Sequence, residues 1–327
     1  MPRKRATIRE VAQATGLSPA AVSYALRGLQ VSEETMLRVR AAAAELGYEA
    51  DPIARALASG KTGTIGLLAG SLEDLWQQAL VVGIGRRLLA HDRYALILDA
   101  AGEPARQRTL AQQLRDQRVD AMIVHPIDPA AEFWAELCES VPVVAIGDSL
   151  PGTAGEVVFD NRRGVTLVLE HLLALGQRRI VLLTPTMAST PDRPADVHVL
   201  AEGERLGLAV EVRTAPQDLG GATAVAREVL EAGAQAVFCF ADSIAYGVYA
   251  AAAELGRSIP DDLSVMGYDN HPMSALLTPG LSTVDWDIDG IVRSSVRLVV
   301  AAADGTMRRR RSIQQPTLIE RGSVKGL

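Results

Sequence analysis

From residue 64 onward the chain alternates short, branched apolar runs with longer amphipathic ones. The runs TIGLLAG, YALILDA, VDAMIVHP, VPVVAIGD, RRIVLLTP, QAVFCFAD and LSVMGYDN are too apolar to leave one sheet face in water, which predicts strands covered on both faces. Between them lie stretches of helical period, such as LWQQALVVGIGRRLLAH and PARQRTLAQQLRDQ. This alternation predicts parallel βαβ units arranged as two lobes with a cleft between them, and ligands in such sheets bind beyond the carboxyl ends of the strands.

Residues 1–50 carry a different pattern, with apolar positions recurring at helical spacing over short, punctuated segments. Thr7 and Glu10 have the spacing of a capping box, Ile8, Val11 and Ala12 give the following helix one apolar face, and Gly16 can take the positive φ that ends it. Ser18 caps a second helix with Pro19 at its first position. Val22, Ala25 and Leu26 form its apolar stripe, which leaves Pro19, Ala20, Ser23, Tyr24 and Arg27 facing outward. A third helix starts at Ser32, with Glu33 and Glu34 at the positive end of its dipole, and stops at Gly47. Periodicity alone fits a helix-turn-helix and an ordinary three-helix bundle equally. The next stretch, DPIARALASGKTGT, reads as an isolated helical turn or two from Pro52 and then a linker. A helix that short needs a partner in water; two copies from two chains could form it together and wedge Leu57 into a base step.

Charge sharpens the division. The chain of 327 residues has a formal net charge of −6. Residues 1–62 hold nine Lys/Arg and six Asp/Glu, so they carry +3 and the remainder carries −9. A basic head on an acidic body suits phosphate contact by the head. Cys138 and Cys239 lie in apolar runs and read as buried reduced thiols, and the N-terminus shows basic residues with no apolar segment behind them. Together these predict a cytoplasmic protein with no membrane span. No metal or cofactor is expected, because His91, His125, His171, His198 and His271 show no ligand or triad spacing and no nucleotide-binding or hydrolase motif occurs. RRRR at 308–311 reads as a solvated turn before a single strand, SIQQPTLIERG.

The order TIREVAQATGLSPAAVS, VSEET, ELGY, PIARALASGKT resembles the DNA-binding head and hinge of the lactose/galactose repressor (LacI-type) family of bacterial transcription regulators. The resemblance continues through EHLLALGQRRIVLL, IPDDLSVMGYDN and LLTPGLSTV. It implies an all-α helix-turn-helix head at 1–50, a hinge helix and linker at 51–63, and an α/β two-lobed periplasmic-binding-protein-like (type I) effector and dimerisation body at 64–327. The implied N-lobe comprises 64–159 and 290–318, and the C-lobe 160–289 and 319–327. A homodimer would hold two heads on near-palindromic double-stranded operator DNA, and a small molecule, a sugar or sugar derivative by family precedent, would bind between the lobes and control operator affinity.

By the same resemblance, base-facing duty falls on Pro19, Ala20 and Tyr24, phosphate contact on Thr7 and Ser23, and the minor-groove wedge on Leu57 beside Ala54, with Arg27 and Arg55 completing the DNA-facing set. In the cleft it implies Trp76 as a stacking aromatic, Arg193, Asp242 and Asp269 as polar contacts, and Ser189 and Leu219 on neighbouring loops. Several positions depart from the family pattern. Ala21 stands where Thr is common, Tyr24 where Arg is frequent, Ala241 where Asn often precedes Asp242, and Gly147 where Asp is usual. Those losses keep a regulator without an effector open as an alternative. A transport-type solute-binding protein would share the two lobes but not the capped head, and an enzyme would need a catalytic constellation that the motifs do not supply.

Overall fold

The computed structural model describes residues 6–26, 28, 31–48, 60–186, 195–306 and 309–326. It divides into two compact units, 1–62 and 63–327.

In the first unit the predicted punctuation is present atom by atom. Helix α1 (Ile8–Thr15) opens on the Thr7/Glu10 capping box: the Thr7 amide donates to the Glu10 carboxylate at 2.6 Å, and the Glu10 amide donates to the Thr7 hydroxyl at 3.4 Å. It closes on Gly16 at φ 66°, a left-handed cap that costs glycine little. Helix α2 (Pro19–Leu26) begins with the Ala21 amide on the Ser18 hydroxyl at 3.1 Å. Helix α3 (Glu33–Leu46) begins at the Ser32 cap and stops at Gly47. The three pack through one small core of Val11, Ala12, Val22, Ala25, Val39 and Ala43, with Leu17, Leu26 and Tyr48 at its edge.

The second unit holds two parallel sheets, as expected for strands buried on both faces. The first has six strands in the order β11-β5-β4-β3-β1-β2: β1 (Thr64–Ala69), β2 (Tyr94–Asp99), β3 (Ala121–Val124), β4 (Val143–Gly147), β5 (Gly155–Phe159) and β11 (Arg310–Gln314). Helices α4 (Leu75–Leu89), α5 (Pro104–Asp116), α6 (Phe133–Ser140) and α11 (Ile288–Ala303) belong with it, α11 packing on α4 and across β3 to β5. The second sheet is β7-β6-β8-β9: β6 (Arg179–Pro185), β7 (Ala209–Ala215), β8 (Ala236–Cys239) and β9 (Ser264–Met266). Its helices are α7 (Asn161–Ala174), α8 (Ala195–Leu206), α9 (Leu219–Glu231) and α10 (Asp242–Glu254). An antiparallel ribbon, β10 (Thr283–Asp285) with β12 (Thr317–Ile319), runs beside them.

Three strands lie outside the predicted set, each for a legible reason. β7 is an edge strand, exposed and charged in alternation. β10 is only three residues long. β5 carries Glu156 in its buried run, a residue that conceals a strand in sequence but is satisfied here by Arg309 Nη2 at 2.7 Å and by the Ser149 and Thr153 hydroxyls, each at 3.1 Å. The C-terminal expectation also needs correction. Arg310 and Arg311 are strand, not turn, and SIQQPTLIERG is two strands in two different sheets. Between them stands Pro316, which has no N–H to give to a continuous ladder.

Helices α9 and α10 approach closely because Gly247 has no side chain: a Cβ there would stand 2.7 Å from the Ala222 carbonyl carbon and from the Thr223 nitrogen. Gly247→Ala is expected to destabilise the body by about 1–3 kcal/mol through overpacking against backbone, and a urea midpoint unchanged from wild type would count against this close approach.

Candidate functional site

In the head, the outward face of α2 is as the sequence implies. Pro19 and Ala20 are exposed, Tyr24 is 41% exposed and Ser23 is partly covered, while Val22 and Ala25 point inward. Tyr24 thus lies on the side of α2 opposite the buried Val22 and Ala25. Thr7 is exposed, but its hydroxyl is already engaged with Glu10, which it contacts at 3.0 Å. A phosphate contact by Thr7 would therefore share an oxygen that caps α1. Arg27, Ala54, Arg55 and Leu57 lie outside the described residues.

In the body, the strand orders define where a ligand belongs. In the first sheet the chain reverses its direction of winding between β1 and β3, and in the second between β6 and β8. Loops leaving such adjacent strands toward opposite faces open a crevice at their carboxyl ends. Asp74 and Trp76 follow β1 and His125 follows β3, while Ala241 and Asp242 follow β8.

Trp76 is only 3% exposed, and its ring lies 5.7 Å from His125 and 5.6 Å, edge to face, from Phe159. Phe159 in turn meets Trp286 at 5.2 Å, and Trp286 meets Tyr268 at 5.6 Å. These rings form one continuous column that joins the cores of both sheets. The expectation that Trp76 offers a stacking face is corrected by this packing, since the ring is buried among protein side chains. What Trp76 retains is its indole N–H, which has no hydrogen-bond partner among the described residues.

Asp242 also needs correction. One carboxylate oxygen accepts from the Tyr268 amide at 2.8 Å and the Thr283 hydroxyl at 2.7 Å; the other accepts from the His271 amide at 2.8 Å and the Ser274 hydroxyl at 2.5 Å. The side chain is buried, which pushes its pKa up, and these four bonds pull against that shift. A carboxylate so fully occupied ties the β9 loop, the 272–275 turn and β10 together and has little capacity left for an effector. Nor does it act as a helix cap, because Ala241 holds that position and Asp242 is the first residue of α10.

Asp269, two residues past Gly267, has φ 129°, a conformation costly for any residue with a Cβ. Strain of this kind concentrates at binding loops. Leu219 is 60% exposed in the first turn of α9, behind the Asp218 cap. Ser189 and Arg193 lie outside the described residues. A cavity of about 470 Å³ is lined by Gly147, Asp148 and Ser149 at the end of β4, by Phe159, Asp160 and Arg162 at the end of β5, and by His198 and Arg311.

Three buried groups were missed by the sequence reading. Asp74 is 2% exposed and caps α4 through one oxygen, which accepts from the Trp76 and Gln77 backbone amides at 2.8 and 3.2 Å, while its other oxygen has no hydrogen-bond partner among the described residues. Burial raises its pKa, against those backbone bonds and the nearby amide of Gln217. His125 is 5% exposed, and burial lowers its pKa to about 3, so it is neutral at physiological pH. Trp286 is 1% exposed. The aspartate in GSLEDLWQQ was a visible signal, since it stands one residue before an apolar helix that leaves a predicted strand end.

A two-helix DNA-binding motif on a two-lobed α/β binding body defines a ligand-responsive transcriptional regulator. The family description "Bacterial regulatory proteins, lacI family" matches residues 7–51, and "Periplasmic binding protein-like domain" matches residues 169–324. The chain is 31% identical to HTH-type transcriptional regulator GalS of Salmonella typhimurium, over 97% of this chain and 96% of that one. It is likewise 31% identical to HTH-type transcriptional regulator GalR of Escherichia coli, over 98% and 96%. Its fold matches the crystal structure of the lac repressor dimer bound to operator and an anti-inducer with a TM-score of 0.88, at 24% identity, covering 98% of this chain and 100% of that one. The protein belongs to the LacI family of bacterial transcriptional regulators.

Proposed function

We propose that two copies of this chain bind a near-palindromic operator in the cytoplasm and block transcription by occupancy, without catalysis. A small neutral or derivatised sugar bound between the lobes sets the affinity. The observation that carries this reading is the pairing, in one chain, of the capped head with a body whose two sheets both present switch-point loops. Relatives support the effector class: one is named a ribose operon repressor, and LacI-family structures have been solved with ribose and with lactose. Effector binding would shift the lobes, and the shift would reach the DNA through the residues between head and body. The coupling is reciprocal, so an effector that releases the operator must itself bind more weakly to the operator complex.

Deleting residues 1–62 tests the division of labour. The truncated body is expected to lose specific operator binding completely in a salt-controlled titration and to keep its ligand-induced rise in Tm. Retention of specific operator binding by the body would sink the reading. A second reading, a regulator that answers to no effector, is favoured by the occupied Asp242 carboxylate and the buried Trp76 face, and a sugar screen on the full chain separates the two.

A further inference from the structure

Three neighbouring strands of the first sheet start from residues that are tied to one another. Gly63, Arg93 and Asp120 each stand one residue before β1, β2 and β3, and β1 lies between the other two strands. Asp120 Oδ2 accepts from the Gly63 amide at 2.9 Å and from Arg93 Nη1 at 3.0 Å, and Arg93 Nη2 reaches the Asp304 carboxylate at 2.7 Å. The Gly63 carbonyl in turn accepts from the Tyr94 amide at 2.9 Å. Asp304 closes α11, the helix that starts shortly after Trp286 and packs across β3 to β5. This is where the chain coming from the head becomes part of the body. Residues 60–62 are exposed, Gly63 and Thr64 are half-buried, and Ile65 is fully buried. Gly63 has φ 74°, which lets the chain turn into β1 at little cost only because it is glycine.

The Asp120 side chain is 4% exposed and that of Arg93 15%, so salt screens this pair far less than it screens an ion pair in open solvent. Arg93 also donates to carboxylates on two different elements, which holds its planar guanidinium in one geometry. We infer that the Asp120–Arg93–Asp304 clamp fixes the point at which each chain leaves the body toward its head, and that in the dimer it limits the half-site spacing the protein accepts. The inference rests on the reading of two copies on a near-palindromic operator. A dimeric body holds two exit points, and the reach of the heads is measured from them. One released residue adds up to about 3.5 Å, so freeing Gly63 in both copies adds about 7 Å. One extra base pair moves a half-site by only about 3.4 Å along the duplex and about 35° around it. Loss of the clamp is therefore large enough to blur a distinction of one base pair. A looser tether also lowers the effective concentration of the second head once the first is bound.

The test uses the full-length chain and a near-palindromic duplex that the wild-type protein selects from a random pool. The duplex is resynthesised with one base pair removed from, or added to, the segment between its half-sites. Wild type is expected to bind the selected spacing at least about 10-fold more tightly than either altered one, since wrong geometry forfeits the second head. Asp120→Ala removes the acceptor for the Gly63 amide and is expected to cut that ratio to about 3-fold or less, with binding to a duplex carrying one half-site unchanged. Asp120→Asn keeps an oxygen for the amide and should recover part of the ratio, which a general loss of body stability would not do. Arg93→Met keeps the apolar stem, removes both of its bonds and should lower the ratio likewise; it decides the matter if Asp120→Ala fails to fold by thermal shift. Equal binding of all three spacings by wild type, an unchanged ratio in the folded variants, or a parallel loss on the single half-site would overturn the clamp and leave the regulator reading standing. A wild-type chain that selects no near-palindromic duplex would overturn both.

Discussion

Asp242→Ala is expected to lower the Tm of the full chain by roughly 6–12 °C, the shift that about 3 kcal/mol produces in a domain of this size. Removing the carboxylate strands four donors in a buried setting. The Ser274 and Thr283 hydroxyls can turn to other acceptors, and Ser274 already has the Tyr246 hydroxyl at 3.0 Å. The Tyr268 and His271 amides cannot turn, and an unsatisfied buried amide costs about 1–3 kcal/mol. Relief of the buried charge offsets part of this loss, because burial is what raises the Asp242 pKa. Asp242→Asn keeps one acceptor oxygen but turns an NH₂ toward donors, so its loss should fall between wild type and Asp242→Ala. Differential scanning calorimetry on the three proteins is sufficient. A shift under 2 °C for the alanine variant would return Asp242 to the candidate effector contacts.

His125 makes the body sensitive to acid. Its pKa is about 3 in the folded chain against an ordinary 6.5, with burial as the cause. Between those values the unfolded chain binds the proton and the folded chain does not, so stability rises with pH across this window and falls as acid is added. The slope is about 1.4 kcal/mol per pH unit, and the loss reaches about 5 kcal/mol at the acid end. Asp74 and Asp242 act in the opposite sense, since burial raises both pKa values and protonation therefore favours their folded environment. The His125→Leu variant isolates the histidine from them. Its urea midpoint should match or exceed that of wild type above pH 6.5, and the gap should widen steadily below it. Parallel pH profiles for the two proteins would show that His125 is not the source.

Local chemistry made the head readable. Thr7 with Glu10, Ser18 before Pro19, and Ser32 with Gly47 determine helix ends by hydrogen bonds that span three or four residues, and such signals survive in one dimension. The β8 run was equally plain, because a strand buried on both faces must be apolar throughout. β5 and β7 were not. Glu156 in β5 is tolerable only because Arg309, some 153 residues away in sequence, comes to meet it.

The candidate site divides along the same line. That Asp242 stands at a strand end follows from the sequence alone, and so do the outward face of α2 and the division into a basic head and an acidic body; Trp76 entered only through the family resemblance. Which atoms of those side chains are available was decided only by the tertiary structure. Asp242 finds donors at Tyr268, His271, Ser274 and Thr283, Trp76 finds Phe159 and His125, and one Asp74 oxygen has no hydrogen-bond partner among the described residues. Hydrogen-bonding capacity is spent pairwise between residues far apart in the chain, so a residue's chemical type can be read from its letter but its remaining valence only from its neighbours.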